Sequence, residues 1–90
     1  LSDHARIPAA DIARAAEKVD GVRSIHAVRT RGTEAEVYCD LHVLVDPQMT
    51  VLAAHDLGDK VEGVVAAAFP QIKEVLVHIE PDTAAERAEG

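Results

Sequence analysis

Two short arrangements of metal-binding side chains stand out in this 90-residue chain: Asp40-x-His42 and His78-x-Glu80. In a β-strand, residues two apart point to the same face, so each arrangement presents a carboxylate beside an imidazole. These donors suit Zn²⁺, Fe²⁺ or Mn²⁺. The chain has five histidines. His55 is followed by Asp59 one helical turn on and Glu62 two turns on. His26 lies in an earlier strand-like segment, and His4 in a polar lead-in. Each residue also has an ordinary reading. A His or Asp on a half-buried strand is usually just solvated. His55 and Asp59 suit a surface i, i+4 pair, Asp46 suits the turn before Pro47, and Cys39 falls on the apolar side of its strand. No HExxH, CxxC, GxGxxG or phosphate-loop motif occurs.

The elements that position these residues follow from periodicity. Pro8 opens a helix in which Ile12, Ala15, Ala16 and Val19 form one face, and Asp20-Gly21 stops it. Residues 22–31 read as a strand with imperfect alternation, closed by a turn at Gly32-Thr33. Residues 35–46 are the clearest strand. Val37, Cys39, Leu41, Val43 and Val45 form one face; Tyr38, Asp40, His42, Leu44 and Asp46 form the other. Thr50 caps a second helix with Val51, Ala54, Leu57, Val61, Val64, Val65 and Ala68 as its buried stripe. Residues 72–80 form a third strand, stopped by Pro81. The reading is a single α+β domain with a core at 8–81. Its α-β-β-α-β order forms a two-layer sandwich: a three-stranded sheet with two helices on one face. Residues 1–7 are the lead-in and 82–90 a flexible acidic tail. Both ligand pairs then lie on the uncovered face, with Tyr38, Leu44 and Leu76. Apolar residues on an open face suggest a partner surface, most simply a symmetric dimer.

Composition narrows the function classes. Nine Lys and Arg stand against sixteen Asp and Glu, a net charge of −7. That argues against a nucleic-acid or anionic-membrane binder, which needs a basic patch. A single cysteine excludes an internal disulfide and a Cys-rich zinc motif. Two aromatics make the core aliphatic, and the longest apolar run, 64–69, is far short of a membrane span.

The runs VDGVRSIHAVRTRG, DLHVLVDPQMTVLAAHDLGDKVEGVVAAAFP and VLVHIEP resemble the cytoplasmic C-terminal domain of cation diffusion facilitator transporters. The spaced motifs GxxxxH, HxxVD, AHxLxDxVE, FP and VHxEP carry that resemblance over most of the chain. It implies a metallochaperone-like, ferredoxin-like fold and a homodimer. It also implies attachment to a transmembrane domain in a bacterial inner or magnetosome membrane. Such transporters exchange divalent cations for protons, and metal binding closes the dimer to control transport. By the same resemblance, His26, His42, His55, His78 and Glu80 occupy the ligand positions of zinc-type members. His55 matches the residue that bridges two metals, and Glu80 stands where aspartate is common. Asp40 matches an aspartate used by magnetosome members. No catalysis is implied, and Zn²⁺, Fe²⁺ and Mn²⁺ all remain open as the ion. Ligation needs neutral imidazoles, so affinity should fall as pH drops toward about 6.5.

Two other readings remain on the residues alone. One is a metal-independent dimerisation scaffold that recruits protein partners. The other is a free-standing small-ligand module, although its strand–helix loop, residues 46–50, has no glycine. A small hydrolase lacks a paired nucleophile and base.

Overall fold

The computed structural model describes residues 7–89; the lead-in with His4 lies outside the described residues. Six elements follow in order: α1 (Ala9–Glu17), β1 (Ser24–Gly32), β2 (Val37–Val45), α2 (Val51–Ala68), β3 (Ile72–Pro81) and α3 (Ala84–Glu89). The sheet order is β1-β2-β3. β1 runs antiparallel to β2 through a short hairpin, and β3 runs parallel to β2. A parallel neighbour needs a long crossover, and α2 is that crossover.

The helices start where local chemistry satisfies their first amides. Pro8 is extended (φ −60°, ψ 136°) and its carbonyl accepts from the Asp11 and Ile12 amides. The Thr50 hydroxyl accepts from the Ala53 amide at 3.0 Å, an N-cap of the expected kind. The β1–β2 turn depends on Gly32. Its φ is +111°, and a Cβ there would lie 2.1 Å from the Glu36 carbonyl oxygen. No other residue fits that turn without moving backbone.

One face of β2 is the floor of the core. Val37, Cys39, Leu41, Val43 and Val45 pack with Ile12 and Ala16 of α1 and Leu57, Val61 and Val65 of α2. The stripe on α2 is narrower than periodicity predicts: Val51 is 87% exposed and Val64 39%. The sequence reading also ends its ordered elements at Pro81, yet α3 follows. Thr83 Oγ1 accepts from the Glu86 amide at 3.2 Å. Asp82 ties the segment down: its amide donates to the Val45 carbonyl at 2.8 Å, and its carboxylate meets Arg87 and Arg23. Two helices thus cover one sheet face, and α3 adds a third, short helix beside the other.

Candidate metal centre

The open face is built by strand alternation and one irregularity. On β2, alternation sends Tyr38, Asp40, His42 and Leu44 away from the core. On β1, the pairing steps from His26↔His42 to Arg29↔Asp40. Ala27 and Val28 therefore together oppose Leu41, which is a β-bulge. Ala27 takes the left-handed conformation, φ +52°. The bulge reverses the alternation of β1: Ser24 and His26 share the open face with Arg29 and Arg31, while Val28 packs against the core. This is why residues 22–31 alternate imperfectly in the sequence.

The result is a row of three histidines across the whole sheet. His26 pairs with His42, and His42 pairs with His78. The rings of His42 and His78 lie 5.0 Å apart between centroids, tilted by 51°. In the next row Glu80 pairs with Leu44, and its Oε2 lies 3.5 Å from His42 Nδ1. His26 Nε2 is 2.9 Å from Ser24 Oγ. Its other ring nitrogen, Nδ1, is buried and has no hydrogen-bond partner among the described residues. Neutral imidazole and carboxylate are fitting donors for a divalent cation, and an orphaned buried ring nitrogen beside them fits the same use.

Asp40 shares the face but is one row away, with its Oδ1 3.5 Å from Arg29 Nε. Arg31 lies over the Tyr38 ring, 5.6 Å from its centroid. Cys39 points into the core, where burial, with Asp40 nearby, pushes its thiol up to about 11. It is therefore a protonated apolar side chain at neutral pH, as expected.

The structure does not bring His55 to this face. It stands in the helical layer with its Nε2 3.5 Å from Asp59 Oδ2. His55, Asp56 and Asp59 are all exposed. Among the described residues, they are the only His, Cys, Asp and Glu group whose ligand atoms all lie within 4.8 Å of one another. Asp56 supplies the third member here, where spacing had pointed to Glu62. On the sheet face, a full set of donors requires side-chain rotation or donors from elsewhere.

One elsewhere is α3. Leu44, expected to be open, is 1% exposed although it lies outside the core cluster. With His26, His42, Glu80, Glu86 and Glu89 it lines a cavity of about 90 Å³. Glu86 hydrogen-bonds Glu80, and this contact raises the Glu86 carboxyl above the usual glutamate range. Asp82 shifts the opposite way, lowered chiefly by its hydrogen bond from Arg87. Sequence reasoning missed Glu86, although Thr83-x-x-Glu86 is a capping-box spacing.

Comparison with known proteins agrees with this architecture. The family model for the cation efflux protein cytoplasmic domain matches residues 7–82. Metal tolerance protein C1 of Arabidopsis thaliana is 36% identical over 64 residues, covering 71% of this chain and 14% of that protein. Magnetosome protein MamM of Magnetospirillum gryphiswaldense is 33% identical over 69 residues, covering 77% of this chain and 22% of MamM. The chain thus spans less than a quarter of the length of these relatives. A solved MamM C-terminal domain variant superposes with a TM-score of 0.78 at 30% identity, covering 82% of this chain and 92% of that one. A manganese form and a nickel form of other MamM variants both superpose at 0.76, each covering 80% of this chain and 91% of theirs, at 30% identity. Among the described residues no helix is long and apolar enough to cross a membrane. With most of its length matched by the family model, this chain belongs to the cytoplasmic-domain family of cation efflux proteins, the cation diffusion facilitators.

Proposed function

We propose that this chain is the regulatory and dimerising domain of a divalent cation/proton antiporter, binding metal on its open sheet face without catalysing a reaction. The observation that carries this reading is the His26–His42–His78 row with Glu80 3.5 Å from His42. His42, His78 and Glu80 are the central donors, with His26 and Asp40 at the margins of the same face. His55, with Asp56 and Asp59, is a separate donor group in the helical layer. A second copy facing the sheet would supply further donors and cover Leu76, which is 52% exposed. The net charge of −7 per chain opposes the approach of two copies, and bound cations offset it. A metal that binds the closed dimer more tightly than the open one shifts the population toward closure. Zn²⁺, Fe²⁺ and Mn²⁺ all suit the donors.

Titration calorimetry with Zn²⁺, Mn²⁺ and anaerobic Fe²⁺, alongside small-angle scattering, tests this reading. Micromolar or tighter binding with compaction of a dimer is expected. His78→Ala should lose at least about tenfold in affinity. A dimer that forms but binds no metal would favour the scaffold reading, for which the exposed Leu76 is the supporting observation. An unchanged titration of His78→Ala would remove the sheet face from the site.

A further inference from the structure

Helix α3 is anchored beside the histidine row from both sides. Asp82 holds its start through the Val45 carbonyl, Arg23 and Arg87. Glu86 then lines one cavity with Glu80, whose Oε2 lies 3.5 Å from His42 Nδ1. The cavity these residues share with His26, Leu44 and Glu89 measures about 90 Å³, roomier than the ~30 Å³ share of one water. Three carboxylates and two imidazoles around one cavity are donors that suit a divalent cation. His26 Nδ1, buried without a partner among the described residues, belongs to a residue lining the same cavity.

We propose that α3 is part of the cation site: a divalent cation held by His42 and Glu80 takes Glu86 as a further ligand and so clasps α3 onto the open sheet face. This rests on the reading of His42 and Glu80 as metal donors. The three donor atoms are not all within 4.8 Å of one another as they stand, so Glu80 and Glu86 close on the ion by side-chain rotation. The site then draws on β2, β3 and α3 of one protomer, and a second copy is not needed to complete it. Because the ion binds the docked tail better than the undocked one, cation binding and tail docking share one free energy. The domain would then report metal occupancy through its C-terminal segment as well as through its dimer.

The experiment uses the 90-residue chain with Zn²⁺ as the probe and two readouts. Calorimetry gives affinity. Hydrogen exchange at the Arg87 amide, which donates to the Thr83 carbonyl at 3.0 Å, gives the order of α3. Saturating Zn²⁺ should slow that exchange in the wild type. Glu86→Gln keeps the shape and removes the charge. It should weaken Zn²⁺ binding by about tenfold and abolish the zinc-dependent protection. Glu17→Gln, an equal change of charge on α1 and away from the cavity, should do neither. Wild-type affinity or retained protection in Glu86→Gln overturns the clasp while leaving the His42 and Glu80 site standing. An equal loss in Glu17→Gln makes the effect one of general charge and overturns it too. A wild-type chain that binds no Zn²⁺ overturns both the clasp and the metal-binding reading beneath it.

Discussion

The two faces of β2 divide the molecule's work. Toward the helices, Val37, Cys39, Leu41, Val43 and Val45 are at most 4% exposed. One residue over each time, Tyr38, Asp40 and His42 are only half-buried and carry every polar contact of the strand's other side. The same nine residues therefore pack the core on odd positions and carry the candidate donors Asp40 and His42 on even ones. Because alternation is strict, a substitution on one face should leave the other nearly untouched, and sites this close rarely allow so clean a separation.

The largest effect should come from the buried face. Leu41 is fully buried at the centre of the middle strand, so Leu41→Ala leaves a cavity under both helices. The expected cost is about 2–5 kcal/mol, a large part of the ~5–15 kcal/mol typical of a domain. Urea denaturation measures it. A loss under about 1 kcal/mol would mean the core repacks freely and the division of labour is weaker than drawn.

On the open face the expected signs reverse. His42→Ala removes a half-exposed ring, so the urea midpoint should move by no more than about 1 kcal/mol. Zn²⁺ affinity should fall at least about tenfold. A destabilisation rivalling Leu41→Ala would show that the histidine row is structural packing.

Cys39 tests the same boundary through pH. Its thiol is pushed up to about 11 from 9.0, first by burial and then by Asp40. The unfolded thiol therefore ionises first as pH rises. The stability Cys39 contributes is complete below pH 9 and declines as pH climbs toward 11. Comparing wild type with Cys39→Ala across that window isolates its share from other alkaline titrations. The wild type should lose more stability than the variant; parallel curves would mean the thiol reaches solvent.

Much of this was legible in the sequence, for physical reasons that also mark where legibility ended. β2 announced itself because its faces differ in polarity at every step, and α2 because Thr50 and Leu57, Val61 and Val65 agree on a cap and a face. The candidate metal residues could be assigned to a face but not to rows: whether His42 sits beside His26 and His78 depends on cross-strand register, which no single strand contains. Asp40 and Arg29 illustrate the same limit, since their pairing exists only because of the bulge. His55 was visible as a candidate, yet only the packing of Leu57 and Val61 decides that it faces away from the sheet. α3 was hidden by its six-residue length, too short for periodicity, and by acidic residues that read as solvated tail.

The smallest effect should come from the place where the two faces are reconciled. Deleting a residue inside a strand normally turns every later side chain to the opposite face. Ala27 should be an exception. Residues 27 and 28 together oppose Leu41. Without Ala27, Val28 takes that place alone and still points to the core, and Arg29 still meets Asp40. The deletion also removes a non-glycine residue with φ +52°, a conformation that costs about 1–3 kcal/mol. Against this stands the loss of the extra twist that the bulge gives β1. The two terms oppose each other, so thermal stability should change by no more than about 1 kcal/mol, and the amide spectrum should stay that of the folded chain. Metal affinity is the sharper readout, because Ala27 lines the cavity beside His26. A folded Ala27-deleted chain with weakened Zn²⁺ binding would show that the bulge shapes the site and not the core. Unfolding would mean that β1 cannot close its ladder without the extra residue, and that the open face helps hold the fold together after all.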